Sequence, residues 1–209
     1  MFLLPTRSRP KNLRRFLEAY KACCSTASVY LIFDEDDPCL DEYQQIETPL
    51  NWHESVMPSS NQGILEKVNY IFRAIDNRPW YGLLGDDNVP VTFEWDKRLI
   101  ETAGNDGVAW PNDGIRKGDF GTLLVIGGDL VREMGWLAPP GMKHLYVDTL
   151  WTEIGRSRGK AYYLEDTWVP HYHFSNGKAP MDDTYQRHAG FAENDRKIYE
   201  SVIGKIHAR

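Results

Sequence analysis

Short apolar runs alternate with amphipathic segments along the first half of the chain. Residues 2–4, 28–33 and 80–84 are rich in aliphatic and aromatic side chains and have the length of buried strands. Between them, residues 11–22 and 64–74 place apolar side chains at the three- and four-residue spacing of a helix. Strands that alternate with helices of about a dozen residues predict βαβ units, and therefore a mainly parallel, Rossmann-like sheet flanked by helices.

The second half of the chain continues the same alternation. Further strands are predicted at 108–111, 123–126 and 161–164, and helices at 93–103, 148–154 and 194–206. The segment from Pro38 to Val56 has no clear period, so we expect loops and one short strand there. With no internal repeat or low-complexity linker, residues 1–209 are predicted to form one domain. Its segment 175–209 is expected to supply a flap, with Asp182, Asp183 and Tyr185, and a docking helix.

Acidic side chains follow two of the predicted strands. Gly85-Asp86-Asp87-Asn88 comes directly after the strand at 80–84, and Asp34 ends the strand at 28–33. Ligands of open α/β sheets bind at the carboxyl ends of the strands, and oxygen-rich side chains suit a hard divalent cation. The same residues could instead cap a polar turn, and the sequence leaves that alternative open.

The loop after the first strand carries hydroxyl and cationic groups, at Thr6, Arg7 and Arg9. Together with the strand-tip acids, these groups suit a nucleotide diphosphate. One carboxylate can accept from ribose hydroxyls or a base N–H, basic groups can bind phosphate oxygens, and a second carboxylate can hold a bridging metal.

An ordered set of motifs resembles the GT-A glycosyltransferases, specifically their small family 2-like members. It comprises Leu4-Pro5-Thr6-Arg7-Ser8-Arg9-Pro10 before an amphipathic helix, Phe33-Asp34, a helix with Lys67 and Asn69, the DXD-like Leu84-Gly85-Asp86-Asp87-Asn88, Val147-Asp148-Thr149 and His171-Tyr172-His173. The resemblance spans residues 3–185 and implies a GT-A-like domain. The family often has a second Asp where this chain has Asn88, which leaves metal dependence and metal choice open.

The resemblance also implies a role for each of these residues. The nucleotide would be bound by Thr6, Arg7, Arg9, Asp34, Lys67 and Asp86. Asp87 would ligate Mn2+ or Mg2+ together with a histidine, and His173 is preferred over His171, with which it shares one face of an extended segment. Asp148 would be the general base, with Glu153 as the alternative. The implied reaction is a metal-dependent, inverting transfer from a nucleotide-sugar donor, a UDP-sugar in the first place.

Composition narrows the setting of this activity. The formal charge is −6 and the pI about 5.5, so no global cationic field indicates a nucleic-acid or membrane partner. Three cysteines give neither a disulfide framework nor zinc-ligand spacing, and no apolar run approaches the roughly 20 residues of a membrane span. We therefore expect a soluble cytoplasmic protein, in the host cytoplasm if a phage encodes it.

The acceptor is not readable from the sequence, and an acceptor hydroxyl on a glycan or on a hydroxylated base of phage DNA fits. Small free-standing members of this type resemble phage-encoded enzymes. Local phosphate contacts could come from Arg7, Arg9, Lys11, Arg14, Arg15, Arg116, Lys117, Arg156, Arg158 and Lys160. Two other functions remain open: a nucleotidyltransferase acting on sugar phosphates, although the loop Pro5 to Pro10 contains no glycine, and a non-catalytic sugar-binding module.

Overall fold

Seven strands form one sheet in a computed structural model of the chain, which describes residues 1–58, 63–75, 77–182 and 190–207. They are β1 (Phe2–Pro5), β2 (Val29–Asp34), β3 (His53–Met57), β4 (Trp80–Leu83), β5 (Val108–Asn112), β6 (Leu124–Gly127) and β7 (Ala161–Trp168). Their spatial order is β3-β2-β1-β4-β6-β5-β7. Within this sheet β6 pairs antiparallel with both β4 and β5, and every other pairing is parallel. The predicted mainly parallel α/β sheet is therefore confirmed.

Helices of the described residues cover both faces of the sheet. They are α1 (Pro10–Ala22), α2 (Leu40–Gln44), α3 (Ile64–Ala74), α4 (Trp95–Ala103), α5 (Gly128–Met134), α6 (Val147–Ser157) and α7 (Ala192–His207). Side chains of α1, α2 and α4 belong to one buried apolar cluster. Those of α3, α5, α6 and α7 contribute to a second cluster on the opposite face. A sheet buried on both faces needs strands that are apolar throughout, as the sequence predicts.

Strand β1 shows how the two cores are built from one apolar run. Phe2 and Leu4 point into the cluster of α1 and α4, whereas Leu3 points into the cluster on the other face, because successive side chains of a strand alternate. Next to β1, a Cβ atom on Gly82 of β4 would lie 2.0 Å from the Phe2 ring. Glycine at this position therefore lets the ring pack against the neighbouring strand.

The sequence prediction was wrong in two places. Residues 40–44 form α2, where only loops and a strand were expected, because a five-residue helix is too short to show a helical period. Strand β7 runs to Trp168 instead of ending at Leu164, since a register shift lets Trp168 pair with Asn112 of β5. The short strand expected before Val56 exists as β3.

The C-terminal helix α7 packs against the second apolar cluster, and a buried carboxylate fixes its first turn. Asp195 is fully buried and accepts hydrogen bonds from the backbone N–H groups of Lys143, His144 and Leu145, at 2.9, 2.8 and 2.8 Å. Asp183 and Tyr185, expected in the flap, lie outside the described residues. Among the helices that the structure describes, none combines the length and the apolar character that crossing a membrane requires.

We predict that Asp195→Ala destabilises the protein by about 3 kcal/mol, because three partly buried backbone N–H groups lose their buried acceptor at once. Equilibrium unfolding in urea measures the change. Glu200→Ala is the matched control, since Glu200 is an exposed carboxylate of the same helix and its loss should cost less than about 0.5 kcal/mol. Equal stabilities of the two variants would contradict the anchoring role of Asp195.

Candidate functional site

The carboxyl ends of β1, β2 and β4 lie side by side at one edge of the sheet, because β1 pairs with both other strands. The loops that follow them bring together residues 6–9, 34–37 and 85–88. These are the segments that the sequence predicts to bind a nucleotide and a metal. Their side chains form a network of hydrogen bonds and ion pairs in two parts, one around Asp34 and one around Asp86 and Asp87.

Asp34 is held by two cations from different elements. Arg7 donates to Asp34 Oδ2 at 2.7 Å and also pairs with Asp36, and Lys67 of α3 pairs with Asp34 Oδ1. Lys67 is buried, which is unusual for a lysine. Its burial is possible because its ammonium group pairs with the Asp34 carboxylate. The predicted nucleotide-binding residues Arg7, Asp34 and Lys67 are thus in direct contact.

Asp86 lies at the centre of the network and is buried. Thr6 Oγ1 donates to Asp86 Oδ2 at 2.6 Å, and Asn12 Nδ2 and Arg9 NH1 lie 3.3 and 3.4 Å from Oδ1. Burial and the charge of Asp87 raise the pKa of Asp86, while Arg9, Thr6 and Asn12 oppose the shift. Because these donors suit a carboxylate, the pair of adjacent acids can stay buried.

Asp87 contacts a histidine from the far end of the chain. Its Oδ1 lies 3.2 Å from His171 Nε2, and Arg9 NH1 lies 3.7 Å from its Oδ2. The backbone fixes the approach, since Tyr172 N donates to Asp87 O at 2.8 Å and Asn88 pairs with His171 as an antiparallel bridge. Burial lowers the pKa of His171, but the hydrogen bond to Asp87 and the charge of that carboxylate outweigh it, so the pKa is raised.

His173, the histidine preferred from the sequence, lies beside His171 with 5.0 Å between the ring centroids. Its Nδ1 lies 2.8 Å from Ser175 Oγ and accepts from Ser175 N at 3.2 Å. Burial and the neighbouring His171 lower its pKa. The structure thus brings both histidines to the acidic tip and places His171 in contact with Asp87.

The donor set at this tip fits a divalent cation that keeps other ligands. Within the described part of the chain, His, Cys, Asp and Glu form no group of three or more with metal-site geometry. A carboxylate from Asp87 and an imidazole from His171 or His173 are two ligands, and Mg2+-type sites often use one or two protein ligands together with water and substrate phosphates. Asn88 stabilises the turn after β4, since its side-chain Oδ1 accepts a hydrogen bond from Gly85 N at 2.9 Å.

Asp148 lies in the first turn of α6 and is partly buried. Its Oδ1 accepts from Thr149 N at 2.7 Å, and burial raises its pKa. The charge of Asp148 makes a small contribution to the raised pKa of His171. The alternative base, Glu153, pairs with Arg156 at 2.7 Å and its charge reaches Tyr199 of α7.

Sequence reasoning missed two residues that shape the site. The hydroxyl of Tyr43 lies 2.9 Å from Thr6 Oγ1 and accepts from Arg9 N at 2.8 Å, so it fixes the loop after β1. Asp37 accepts from Ser8 N at 2.9 Å in the same loop. Tyr43 belongs to α2, the helix that has no detectable period. Asp37 belongs to the acidic run that follows β2, so the sequence did contain a pattern that could have identified it.

Comparison of the described structure with solved structures gives several similar folds. A mannosyltransferase from Pyrobaculum calidifontis in complex with GDP-Man and Mn2+ has a TM-score of 0.64 at 11% identity, over 81% of this chain and 55% of that chain. S. aureus TarS 1-349 in complex with UDP has a TM-score of 0.61 at 14% identity, over 80% of this chain and 58% of that chain. The chain thus spans little more than half the length of these two proteins.

A third similar structure belongs to a different class of enzyme. A protein from Bacillus anthracis assigned as a glucose-1-phosphate thymidylyltransferase, in complex with a sucrose, has a TM-score of 0.54 at 10% identity, over 88% of this chain and 98% of that chain. No protein-family model and no curated protein sequence matches the chain. At these identities the likenesses establish the fold, and the GT-A-like α/β fold predicted from the sequence is confirmed.

Proposed function

We propose that this protein is a glycosyltransferase that moves a sugar from a nucleotide-diphosphate donor to an acceptor hydroxyl. A UDP-sugar is the preferred donor. The observation that carries the proposal is the network in which Arg9 and Thr6 meet Asp86, and Asp87 meets His171, at one sheet edge. The order of the motifs supports a small family 2-like member of the fold, of the kind that phages encode. The free cysteines of the described chain support a cytoplasmic setting.

The donor would lie across the tips of β1, β2 and β4. Asp34, oriented by Arg7 and Lys67, would accept hydrogen bonds from the ribose or the base. Arg7 and Arg9 would offer guanidinium groups to the diphosphate oxygens, and Thr6 would keep Asp86 in place. In this assignment Arg7 and Arg9 orient the donor directly, and Lys67 orients it through Asp34.

Asp87 would hold a divalent cation, Mn2+ or Mg2+, with His171 or His173 as a second protein ligand. Such an ion, when bound, neutralises the charge that develops on the departing diphosphate. His171 must give up its hydrogen bond to Asp87 in order to serve as the ligand, and His173 Nδ1 must give up its contacts with Ser175 if it is to bind the ion through that nitrogen. The choice between the two histidines therefore depends on which of these contacts opens.

Asp148 would take the proton of the acceptor hydroxyl as that oxygen attacks the anomeric carbon from the face opposite the leaving group. Inversion follows from such an in-line displacement. Both hydrogen bonds from Thr149 go to Oδ1, so Oδ2 is available as the accepting oxygen. The raised pKa of Asp148 makes it a stronger base than an exposed aspartate. Glu153 is less suitable because it is engaged with Arg156 on the outer side of α6.

A nucleotidyltransferase acting on sugar phosphates is the second candidate, because the thymidylyltransferase-like structure matches over nearly its whole length. Such an enzyme would release pyrophosphate from a nucleoside triphosphate. A glycosyltransferase would release a nucleoside diphosphate from a nucleotide sugar. The two products separate the candidates in one chromatographic assay, and a sugar-binding module would release neither.

We expect Asp87→Asn to reduce the release of nucleoside diphosphate from the donor at least about 100-fold, because the neutral amide loses both the charge and the metal-ligand character of the carboxylate. The assay supplies UDP-glucose, UDP-N-acetylglucosamine or GDP-mannose with Mn2+ and measures UDP or GDP. Asp106→Asn is the control, since it makes the same change at an exposed carboxylate away from the tip. Full activity of Asp87→Asn would exclude the proposed metal site.

We expect Asp148→Asn to lower the rate of transfer by about 100-fold or more, while leaving the affinity for UDP unchanged. In the unchanged protein the base must be ionised, so the rate should fall as the pH drops through the pKa of Asp148. Because that pKa is raised, the fall should begin at a higher pH than for an ordinary aspartate. The pH profile of kcat and a calorimetric titration with UDP measure both effects. Glu153→Gln should keep the rate, and a loss there instead would assign the base to Glu153.

A further inference from the structure

The loop between β5 and β6 is built around one buried carboxylate. Asp113 Oδ1 accepts from the backbone N–H groups of Ile115 and Arg116 at 2.8 and 2.7 Å, and Oδ2 accepts from Thr122 Oγ1 at 3.0 Å. These bonds fix the backbone of residues 113–122. The position from which the Arg116 side chain projects is therefore set by the fold.

This loop is bonded to two elements of the candidate site. His171 N donates to Asp113 O at 3.0 Å, which joins the loop to the histidine segment. Arg156 of α6 donates to the carbonyl oxygens of Gly118 and Asp119 at 2.8 and 2.6 Å, which joins the loop to the helix that carries Asp148. Burial raises the pKa of Asp148 and lowers that of His173, and the positive charge of Arg116 makes a smaller, lowering contribution to the pKa of both.

Arg116 lacks, among the described residues, both the carboxylate partners of the donor-side cations and a hydrogen bond such as the one that Arg15 donates to Asn12 Oδ1 at 3.1 Å. Among the described residues its guanidinium forms no ion pair and lies over the Phe120 ring at 5.0 Å. By contrast, Arg7, Arg9 and Lys67 on the donor side are all paired with aspartates. An exposed guanidinium without an ion pair among the described residues, on a loop bonded to the histidine segment and to α6, can bind an anion that arrives with the acceptor.

We propose that Arg116 binds a phosphate ester on the acceptor, close to the hydroxyl that is glycosylated, so that the acceptor is a phosphorylated polyol or sugar. This inference rests on the proposed glycosyltransferase function and specifies its substrate class. A guanidinium can bind two phosphate oxygens at once. It would thereby hold the neighbouring hydroxyl beside Asp148.

The charges of the structure favour such a small phosphate over a nucleic acid. Nucleic-acid binding needs several cations along a track. Of the ten basic residues that could form one, six are paired with carboxylates, namely Arg7, Arg9, Arg14, Arg156, Arg158 and Lys160. With a net charge of −6, the protein offers at Arg116 a local contact for one phosphate rather than a track.

Model acceptors test the inference with the full chain, Mn2+ and the nucleotide sugar that releases most diphosphate. The probes are glycerol, glycerol 3-phosphate and a duplex oligonucleotide that contains hydroxymethylated bases. We expect glycerol 3-phosphate to stimulate diphosphate release at a KM at least about 10-fold below that of glycerol. Arg116→Gln should raise the KM for glycerol 3-phosphate about 10-fold with a smaller effect on kcat, and Arg116→Lys should restore part of the affinity.

Lys205→Gln is the charge-matched control, because Lys205 is an exposed lysine of α7 near the far end of α6, and it should leave the KM unchanged. Equal KM values for glycerol and glycerol 3-phosphate, or an unchanged KM in Arg116→Gln, would overturn the inference while donor hydrolysis still supports the transferase. A stronger response to the oligonucleotide would overturn it in favour of a nucleic-acid acceptor. No diphosphate release under any condition would refute the proposed function and this inference together.

Discussion

The burial of two adjacent carboxylates at the end of β4 is the constraint on which the site depends. Asp86 and Asp87 are 4% and 6% exposed, and each lowers the stability of the charged form of the other. They can stay buried only if donors and cations surround them. Arg9 and Thr6 from the loop after β1, with His171 from the segment after β7, supply that environment. Residues 6–9 and His171, which lie far apart in the sequence, therefore meet around this pair of aspartates.

The strand order places the partners of this dipeptide on its two sides. Because β1 lies between β2 and β4, the loop that carries Arg7 and Arg9 meets both acidic tips. The antiparallel strand β6 separates β4 from β5, and the loop and segment that follow β5 and β7 approach from the other direction. The edge is thereby divided into a half with paired cations and a half with Asp148 and Arg116. The proposed function assigns the first half to the donor and the second half to the acceptor.

The sequence was informative wherever a local pattern decides the structure. Apolar runs of strand length predicted β1, β2 and β4, and the acids that follow them necessarily reach one edge of a parallel sheet. The position of β6 between β4 and β5 could not be read, because strand order depends on packing between distant segments. The alternation of His171 and His173 placed both on one face, but only the backbone pairing of Asn88 with His171 decides which ring meets Asp87. Tyr43 lies on a helix too short to have a period, so its contact with Thr6 left no trace in the sequence.

The charges of the described donor-side residues give one argument for the proposed divalent cation. Three cations, Arg7, Arg9 and Lys67, contact five carboxylates, those of Asp34, Asp36, Asp86, Asp87 and Asp182. With all of these groups ionised, the cluster carries two negative charges, and a diphosphate would be repelled by it. The raised pKa of Asp86 removes part of that charge at most. A doubly charged ion at Asp87 would balance the remainder, and it would free Arg9 to exchange its carboxylate partners for phosphate oxygens.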